Sequence, residues 1–336
     1  MNTILISALG FPFLILVTYL VKSQAIRSGI VNAPNAIIPQ HTKPIAYLGG
    51  VAIAINFFIL VFVSWFLSNS DLLMGYSNGL SIALFMSLFL ILGTYDDLRP
   101  LSALKKITVQ FVFATLYIYT VPPIVITDIY WLDFSICTFW ILLVINAFNF
   151  TDVMDGLVGG LSIVLFSLLA IIDTSHSVLY ISLAISILAF EIFNAPPASI
   201  FLGDAGSHFL GFAAAISTLE LVNQHSISGI PMMLLAVCLP LFELFFITSV
   251  RIKKGLPWWK GSPDHMALRL QHSGLNKWNT NIIIWILAAL SSLACYFLIN
   301  SSILTQAILT FSVFLLMLLF SRILLRWNVP DKRVTG

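Results

Sequence analysis

Charged residues are scarce in this 336-residue sequence. Asp, Glu, Lys and Arg together make up 9% of it, whereas hydrophobic residues make up 59%. Soluble domains contain about 25% charged residues on average, so a chain of this composition has too few polar groups for a hydrated surface. The scarcity excludes an ordinary soluble protein and predicts an integral protein of the lipid bilayer.

Several familiar signatures are also missing. The three cysteines lie far apart in apolar runs with no Cys-x-x-Cys pair, which argues against a disulfide framework or a zinc site. The sequence has no P-loop, no dinucleotide-binding glycine pattern and no nucleophile elbow. Any nucleotide would have to be bound by loops between membrane spans, and no nucleic acid is expected as a partner.

The apolar runs predict about eleven transmembrane helices in a single domain, residues 1–336. One crossing needs about 20 mostly apolar residues. Such runs are centred near residues 12, 57, 86, 114, 142, 165, 185, 213, 241, 289 and 314. The first run has no basic residue ahead of it, so we expect a retained span rather than a cleaved signal peptide. The expected fold class is an all-α, polytopic helical membrane protein.

The positive residues predict the orientation of these spans. With the N-terminus outside, all 16 Lys and Arg residues fall in cytoplasmic loops or in the C-terminal tail, as the positive-inside rule requires. Six aspartates fall on the same side. Because like charges gathered at one membrane face repel each other, we expect a cation or a basic group among them. These aspartates are Asp96, Asp97, Asp152, Asp155, Asp204 and Asp264.

The first acidic segment is an aspartate pair at the end of a span. Asp96 and Asp97 are followed by Lys105 and Lys106 at the start of the next span. Carboxylate oxygens are the ligands that Mg²⁺ prefers, and lysine binds phosphate oxygens. This arrangement suits a metal–phosphate site, although an aspartate pair in a loop is weak support by itself.

Two further segments carry polar residues between apolar spans. Asn149, Asp152 and Asp155 have the spacing i, i+3, i+6, which would place them on one face if the helix continues through them. Gly203-Asp204-Ala-Gly206-Ser follows a Pro-Pro pair and opens a span with free backbone N–H groups that favour anions. Polar side chains are costly at a membrane boundary, so both segments indicate function.

A basic loop, residues 251–277, contains two tryptophans followed by Asp264 and His265. Its six positive charges could simply anchor it to anionic lipid. The alternative interpretation is that Asp264, His265 and the tryptophans bind a sugar or a phosphate.

In this order and spacing, the segments resemble the polyprenyl-phosphate N-acetylhexosamine-1-phosphate transferases. That family includes the bacterial lipid I synthase and the enzymes that initiate O-antigen assembly. The resemblance extends from Pro34 to about Gly274 and implies a cytoplasmic site in the bacterial inner membrane, with the N-terminus periplasmic. It further implies a UDP-N-acetylhexosamine donor, undecaprenyl phosphate as acceptor, release of UMP, and Mg²⁺ as cofactor with Mn²⁺ as a substitute. Homodimer formation is left open.

The resemblance also implies roles for individual residues. Expected metal ligands are Asp204 and Asp97. Expected substrate-binding residues are Asn149, Asn194, Phe201, Asp264 and Arg269, with Phe201 stacking on the uracil. Expected catalytic residues are Asp96, Asp97, Asp152, Asp155, Lys43, Lys106 and His265. Among these, Asp96 or Asp97 would accept a proton from the lipid phosphate, and the two lysines would face phosphate.

Two positions depart from the family pattern. The histidine-rich loop motif, often His-x-His-His, reads His265-Met-Ala-Leu268 here, and Tyr47-Leu48 replaces the arginine common before Gly49-Gly50. The pattern is closer to the O-antigen-initiating branch than to lipid I synthase. Because the histidine loop is thought to recognise the sugar, the sequence leaves the sugar unidentified.

Two other functions fit parts of the sequence. Intramembrane aspartyl proteases use Tyr-Asp and Gly-x-Gly-Asp, which Tyr95-Asp96 and Gly203-Asp204 echo, but Phe201 stands where the first glycine belongs. A secondary transporter of an anionic solute would be expected to show inverted repeats and charges near the bilayer midplane. No repeat is visible, and only Glu191 and Glu243 lie within spans.

Overall fold

Helices make up almost all of the regular structure. The computed structural model describes residues 3–32, 44–68, 78–327 and 329. Its helices are α1 (Thr3–Arg27), α2 (Gly49–Ser68), α3 (Gly79–Leu98), α4 (Ala103–Thr120), α5 (Tyr130–Thr151), α6 (Leu157–Ile172), α7 (Ser177–Asn194), α8 (Gly203–His225), α9 (Gly229–Ala236), α10 (Cys238–Lys253), α11 (Met266–His272), α12 (Lys277–Leu298) and α13 (Ile303–Leu324). Two short 3-10 turns precede α7 and α9.

Each predicted span centre lies within a helix. Eight helical stretches of the described residues are long and apolar enough to cross a membrane. The helices at the centres 114, 165 and 241 are not among them, because α6 and α10 have 16 residues each and α4 carries Lys105 and Lys106 in its first turn. The all-α, polytopic fold is confirmed, whereas the count of eleven crossings and the orientation stay predictions.

Helix ends from distant parts of the chain meet at one end of the bundle, which we call the site end. The C-terminal end of α3 contacts the N-terminal end of α8, where the Asp204 N–H donates to Asp97 Oδ1 at 2.8 Å. The N-terminal end of α12 contacts the α5–α6 turn, where Lys277 Nζ donates to Asp155 Oδ2 at 2.7 Å. The predicted topology likewise places the C-terminal end of α3 and the N-terminal ends of α8 and α12 on the same side of the membrane.

Helix α8 is the centre of the bundle, with 94% of its apolar stretch buried. Its neighbours include α2, α3 and α5. Aromatic rings fill the space between α8 and the neighbouring helices: Phe212 stacks on Phe89 with ring centroids 4.9 Å apart and meets Tyr117 edge-on at 5.1 Å. The central position of α8 allows residues at its N-terminus to be reached from several helices at once.

A short antiparallel strand pair braces the start of α8. The strands β1 (Val31–Asn32) and β2 (Ile45–Ala46) are two residues long each. The Phe201 N–H donates to the Ala46 carbonyl at 2.8 Å, and the Gly49 N–H donates back to the Phe201 carbonyl at 3.0 Å. The segment that joins β2 to α2 is therefore fixed beside the loop that leads into α8.

Candidate active site

The centre of the site is the ammonium group of Lys106, in the first turn of α4. Its Nζ lies 2.5 Å from Asp96 Oδ2 and also contacts Asp204 Oδ2. The other oxygen of Asp204, Oδ1, accepts a hydrogen bond from Asn149 Nδ2 at 2.7 Å. Four predicted site residues, from α3, α4, α5 and α8, thus form one cluster. We call it the Lys106 cluster.

Asp97, the neighbour of Asp96, caps the N-terminus of α8. Its two carboxylate oxygens accept hydrogen bonds from the Asp204 N–H at 2.8 Å and the Ala205 N–H at 3.1 Å. Two glycines make this contact geometrically feasible. Gly203 has φ +73° and a Cβ there would lie 2.5 Å from Asp97 Oδ2, while a Cβ on Gly93 would lie 2.2 Å from the Asp204 carbonyl oxygen. Asp97 thereby fixes the backbone that carries Asp204.

Asp152 lies directly after the last residue of α5 and faces the same cluster. Desolvation raises its pKa well above the usual range, and the negative charges of Asp204, Asp97 and Asp155 add to the effect. Because α5 ends at Thr151, the helical spacing that the sequence suggested does not extend to Asp152 and Asp155. The two aspartates instead lie on a turn, with different surroundings.

Asp155 and Asn194 are engaged by protein groups. The Asp155 Oδ2 accepts from Lys277 Nζ at 2.7 Å, which makes Lys277 a partner that the sequence reasoning missed. Asn194 Oδ1 accepts from the Gly156 N–H at 2.8 Å, and its Nδ2 donates to the Ile200 carbonyl at 2.7 Å. In this structure both side chains hold the α5–α6 turn against neighbouring segments.

Phe201 is half-buried at the edge of the site, beside Tyr47. Their ring centroids are 6.1 Å apart with an interplanar angle of 59°. Burial and the charges of Asp97, Asp204 and Asp152 raise the pKa of Tyr47 to about 12. Tyr47, which replaces the arginine of the family pattern, therefore contributes a neutral phenol next to the carboxylates. Uracil stacking on Phe201 stays a prediction.

His265 is held by a carboxylate for which the sequence indicated no partner. Its Nδ1 lies 2.7 Å from Oε1 of Glu243, which is 1% exposed in α10. The Met266 N–H donates to Glu243 Oε2 at 3.1 Å. Glu243 and His265 are separated by 22 positions in the sequence. The loop between them folds back so that His265 contacts α10.

Asp264 and Arg269, expected to bind substrate, are enclosed by the protein. They are 1% and 2% exposed, and Arg269 Nη2 donates to Asp264 Oδ1 at 2.5 Å. Lys254 Nζ binds both Asp264 oxygens, at 2.8 and 2.9 Å, and Arg269 Nη1 donates to the Trp327 carbonyl at 2.8 Å. This group, which we call the Arg269 cluster, fixes the basic loop to the end of α13, with Asp264 and Arg269 buried and Lys254 exposed at its edge. These contacts favour a structural role for Asp264 and Arg269, and the expected role in substrate binding stays an untested prediction.

A second polar layer lies one helical turn below the Lys106 cluster. Gln110, four residues after Lys106, donates from Nε2 to His208 Nε2 at 2.8 Å, and His208 follows Asp204 by four residues. Gln110 Oε1 accepts from Asn146 Nδ2 at 2.8 Å. His208 is fully buried, so it packs within the bundle. The layer ties α4, α5 and α8 together.

The carboxylates of the site are candidate ligands for a metal ion. Among the described residues, no group of three or more His, Cys, Asp and Glu side chains is arranged to hold a metal ion. Two carboxylates, Asp96 and Asp204, do converge on one cation, Lys106. Mg²⁺ commonly takes one or two protein carboxylates and completes its shell with water and substrate phosphates, so Asp204 with Asp97, whose carboxylate lies against the Asp204 backbone, fits it. Lys43 lies outside the described residues.

Comparison with known proteins decides the family. A family model described as glycosyl transferase family 4 matches residues 79–222. A phospho-N-acetylmuramoyl-pentapeptide-transferase of Dictyoglomus thermophilum is 30% identical over 305 residues, which cover 82% of this chain and 90% of that protein. The chain belongs to glycosyl transferase family 4. The residues matched by the glycosyl transferase family 4 model run from α3 into α8 and include the whole Lys106 cluster.

Other relatives carry related names. A probable undecaprenyl-phosphate N-acetylglucosaminyl 1-phosphate transferase of Bacillus subtilis (strain 168) is 26% identical, over 92% of this chain and 88% of that protein. The undecaprenyl-phosphate alpha-N-acetylglucosaminyl 1-phosphate transferase of Escherichia coli (strain K12) is 25% identical, over 83% of this chain and 79% of that protein. Membership of glycosyl transferase family 4 confirms the resemblance seen in the motifs and favours a transferase over the protease and transporter alternatives.

Proposed function

We propose that this protein transfers an N-acetylhexosamine 1-phosphate group from a UDP-sugar to undecaprenyl phosphate and releases UMP. The observation that carries the proposal is the Lys106 cluster, in which one ammonium group lies between Asp96 and Asp204. The ammonium group can contact phosphate oxygens, and the carboxylates can hold a metal ion that offsets the charge of two phosphate groups that must meet. The names of the relatives from B. subtilis and E. coli support the lipid acceptor and the type of sugar.

The proposed reaction is a single displacement at phosphorus. An oxygen of the lipid phosphate forms a bond to the β-phosphorus, and the bond from that phosphorus to the bridging oxygen breaks, so UMP leaves with the bridging oxygen. Transfers of this kind depend mainly on alignment and on neutralisation of charge. Lys106, together with Lys43, would offset the charge of the phosphates, and Asn149 holds Asp204 in orientation.

Proton transfer and nucleoside binding complete the proposal. A proton carried by the lipid phosphate would pass to Asp96 or Asp97. Asp97 already accepts two backbone hydrogen bonds, whereas Asp96 accepts one, from the Leu101 N–H at 2.5 Å, besides its contact with Lys106. Asp96 therefore has the greater freedom to exchange its partner. Phe201 would stack on the uracil at the edge of the site.

The proposed cofactor is Mg²⁺, with Mn²⁺ as a substitute. Asp204 is the proposed principal ligand and Asp97 the second. Since no third side chain joins them among the described residues, the phosphate oxygens of the donor would supply further ligands. The cation, when bound, would neutralise charge on the diphosphate.

The proposed setting is the cytoplasmic face of a bacterial inner membrane. There the transfer would initiate an O-antigen or another surface polysaccharide. The name of the E. coli relative supports N-acetylglucosamine 1-phosphate as the transferred group. The relative from D. thermophilum, named for transfer of a phospho-N-acetylmuramoyl-pentapeptide, supplies the alternative donor.

The test is release of UMP by the purified protein. The protein is incubated with undecaprenyl phosphate, Mg²⁺ and a panel of UDP-N-acetylhexosamines, with a UDP-N-acetylmuramoyl-pentapeptide in a separate arm. We expect UMP with at least one donor, only when lipid and metal are both present. We expect Asp204→Asn and Lys106→Met to lower the rate by about 100-fold or more, as loss of a group that stabilises transferring charge does.

Lys105→Met is the matched control for Lys106→Met. Lys105 precedes Lys106 but is exposed, so its removal changes the net charge equally without touching the cluster. We expect its rate to stay within about twofold of wild type. Absence of UMP with every donor, or equal losses in the two lysine variants, would reject the proposal.

A further inference from the structure

Glu243 is a buried carboxylate that the proposed reaction does not use. It lies in α10 and is 1% exposed. A carboxylate that is withdrawn from water needs hydrogen-bond donors. Its partners are His265 Nδ1, at 2.7 Å from Oε1, and the Met266 N–H, which donates to Oε2 at 3.1 Å. Glu243 therefore holds the ring of His265 and the backbone that follows it.

The contact determines which nitrogen of His265 is available. If Glu243 is a carboxylate it can only accept, so Nδ1 would donate and a neutral His265 ring would carry its proton on Nδ1. The other nitrogen, Nε2, has no hydrogen-bond partner among the residues that the structure describes, and the ring keeps some exposure (8% for the residue). Nε2 is thus the atom that a ligand can reach.

The His265 segment packs against the turn that carries the acidic residues. Met266 belongs to the same buried cluster as Met154, which lies on the turn between Asp152 and Asp155. Gln271, in the same short helix as Met266, donates from Nε2 to Met154 Sδ at 2.6 Å. The short helix that follows His265 is therefore joined to the α5–α6 turn by the Gln271–Met154 contact.

We propose that Glu243 is a positioning residue that acts through His265, holding the ring and keeping a proton on Nδ1 so that Nε2 faces the phosphate-bearing substrate. The proposal rests on the proposed function of the site. When the ring gains a second proton, on Nε2, that nitrogen can donate to a phosphate oxygen. The carboxylate of Glu243 then stabilises the positive charge of the imidazolium. Partners of this kind fix the tautomer and orientation of a functional histidine, and their loss typically lowers activity by about 10- to 100-fold at metal-bound histidines.

The first measurement reads the proton position directly. The purified full-length protein is labelled with ¹⁵N-histidine, and the resonances of His265 are assigned by comparison with His265→Gln. At a pH where the ring is neutral, we expect protonated Nδ1 and unprotonated Nε2 in wild type. In Glu243→Leu we expect the proton to move to Nε2. Protonated Nε2 in the wild-type neutral ring would overturn the proposal.

The second measurement asks whether Glu243 acts only through His265. We expect Glu243→Leu to lower kcat for UMP release by about 10- to 100-fold, with a smaller loss in Glu243→Gln, which keeps an acceptor oxygen. The double variant Glu243→Leu/His265→Gln should be no slower than His265→Gln alone, because coupled residues are not additive. A double variant that is several-fold slower than His265→Gln would overturn the proposal.

The three outcomes below separate failure of the variant, failure of the proposed function and failure of the positioning role. If Glu243→Leu does not fold, Glu243→Gln and its double variant with His265→Gln replace it in the kinetic cycle, and the wild-type spectrum still decides the tautomer. If wild type releases no UMP while the proton is on Nδ1, the proposed function fails and the role of Glu243 in that reaction fails with it. If wild type is active but the tautomer is wrong, only the positioning role is lost.

Discussion

The two ionic clusters at the site end differ in how their charges are balanced. In the Lys106 cluster one ammonium group is shared by Asp96 and Asp204, with Asp97 and Asp152 close by. In the Arg269 cluster the proportion is reversed, because Arg269 and Lys254 share the single carboxylate of Asp264. The first cluster has an excess of carboxyl groups, and the second has none to spare.

Exposure differs in the same direction. The side chains of Lys106 and Asp204 are 17% and 27% exposed, whereas those of Arg269 and Asp264 are 2% and 1% exposed, and only Lys254, at 36%, links the Arg269 cluster to solvent. A buried ion pair whose partners are saturated can only maintain structure. An accessible cluster with excess negative charge can take up a metal cation, and its ammonium group can then contact a substrate phosphate. Both clusters contain charged residues. Their charge balance and their exposure are what distinguish the Lys106 cluster, as the candidate site, from the Arg269 cluster, as a structural contact.

The largest expected effect on stability follows from removing Arg269. Arg269→Met leaves Asp264 buried with only Lys254 as a charged partner, and breaking a buried pair costs about 3–5 kcal/mol. We expect Arg269→Met to lower the thermal unfolding midpoint in detergent far more than Lys106→Met, whose cluster is partly hydrated. Intrinsic fluorescence during heating measures both.

Activity should rank the two variants in the opposite order. Arg269→Met protein that remains folded at low temperature should retain most of its rate, and Lys106→Met should not. Similar losses of midpoint in the two variants would break the distinction between a structural cluster and a functional one.

Much of this division was predictable from the sequence, and the reasons are physical. Asp96, Asp152 and Asp204 stand out because carboxylates are costly at the ends of apolar spans, and the distribution of Lys and Arg placed them on one side. The all-α fold followed from the apolar runs alone. Lys106, as a cation beside an aspartate pair, was recognisable in the same way.

What the sequence could not show depends on the path of the chain. The cap of α8 by Asp97 uses backbone N–H groups, which leave no signature in the sequence. The pairs Glu243–His265 and Asp155–Lys277 join residues 22 and 122 positions apart through loop geometry. Asp264 and Arg269 looked available for a ligand because composition does not reveal that a loop folds back and buries them.

A smaller effect should come from the second polar layer below the Lys106 cluster. His208→Leu removes the acceptor for Gln110 Nε2 and leaves a buried donor unsatisfied, which costs about 1–3 kcal/mol. The shift of α4 relative to α8 would displace Lys106 from Asp204, so we expect kcat to fall about tenfold through misalignment.

The matched control is His272→Leu, because His272 is exposed in the last turn of α11. We expect it to leave both the unfolding midpoint and kcat near wild type. His208→Gln offers an oxygen acceptor to Gln110 and should recover part of the loss. If His208→Leu lowers the midpoint without changing kcat, the layer supports the fold but does not align the cluster.

The smallest expected effect tests the excess of carboxyl groups in the Lys106 cluster through pH. Desolvation and the neighbouring carboxylates raise the pKa of Asp152 well above its usual range, so the folded protein binds a proton that the unfolded chain releases. Such a group contributes stability below its unfolded pKa of about 3.9 and loses that contribution as pH rises through the folded pKa.

Asp152→Asn removes this dependence. We therefore expect the unfolding midpoint of Asp152→Asn, relative to wild type, to be higher at pH 8 than at pH 5, by a few degrees at most. A difference of the opposite sign would mean that Asp152 is stabilised in its ionised form, and the cluster would then have no excess of carboxyl groups to offer a cation.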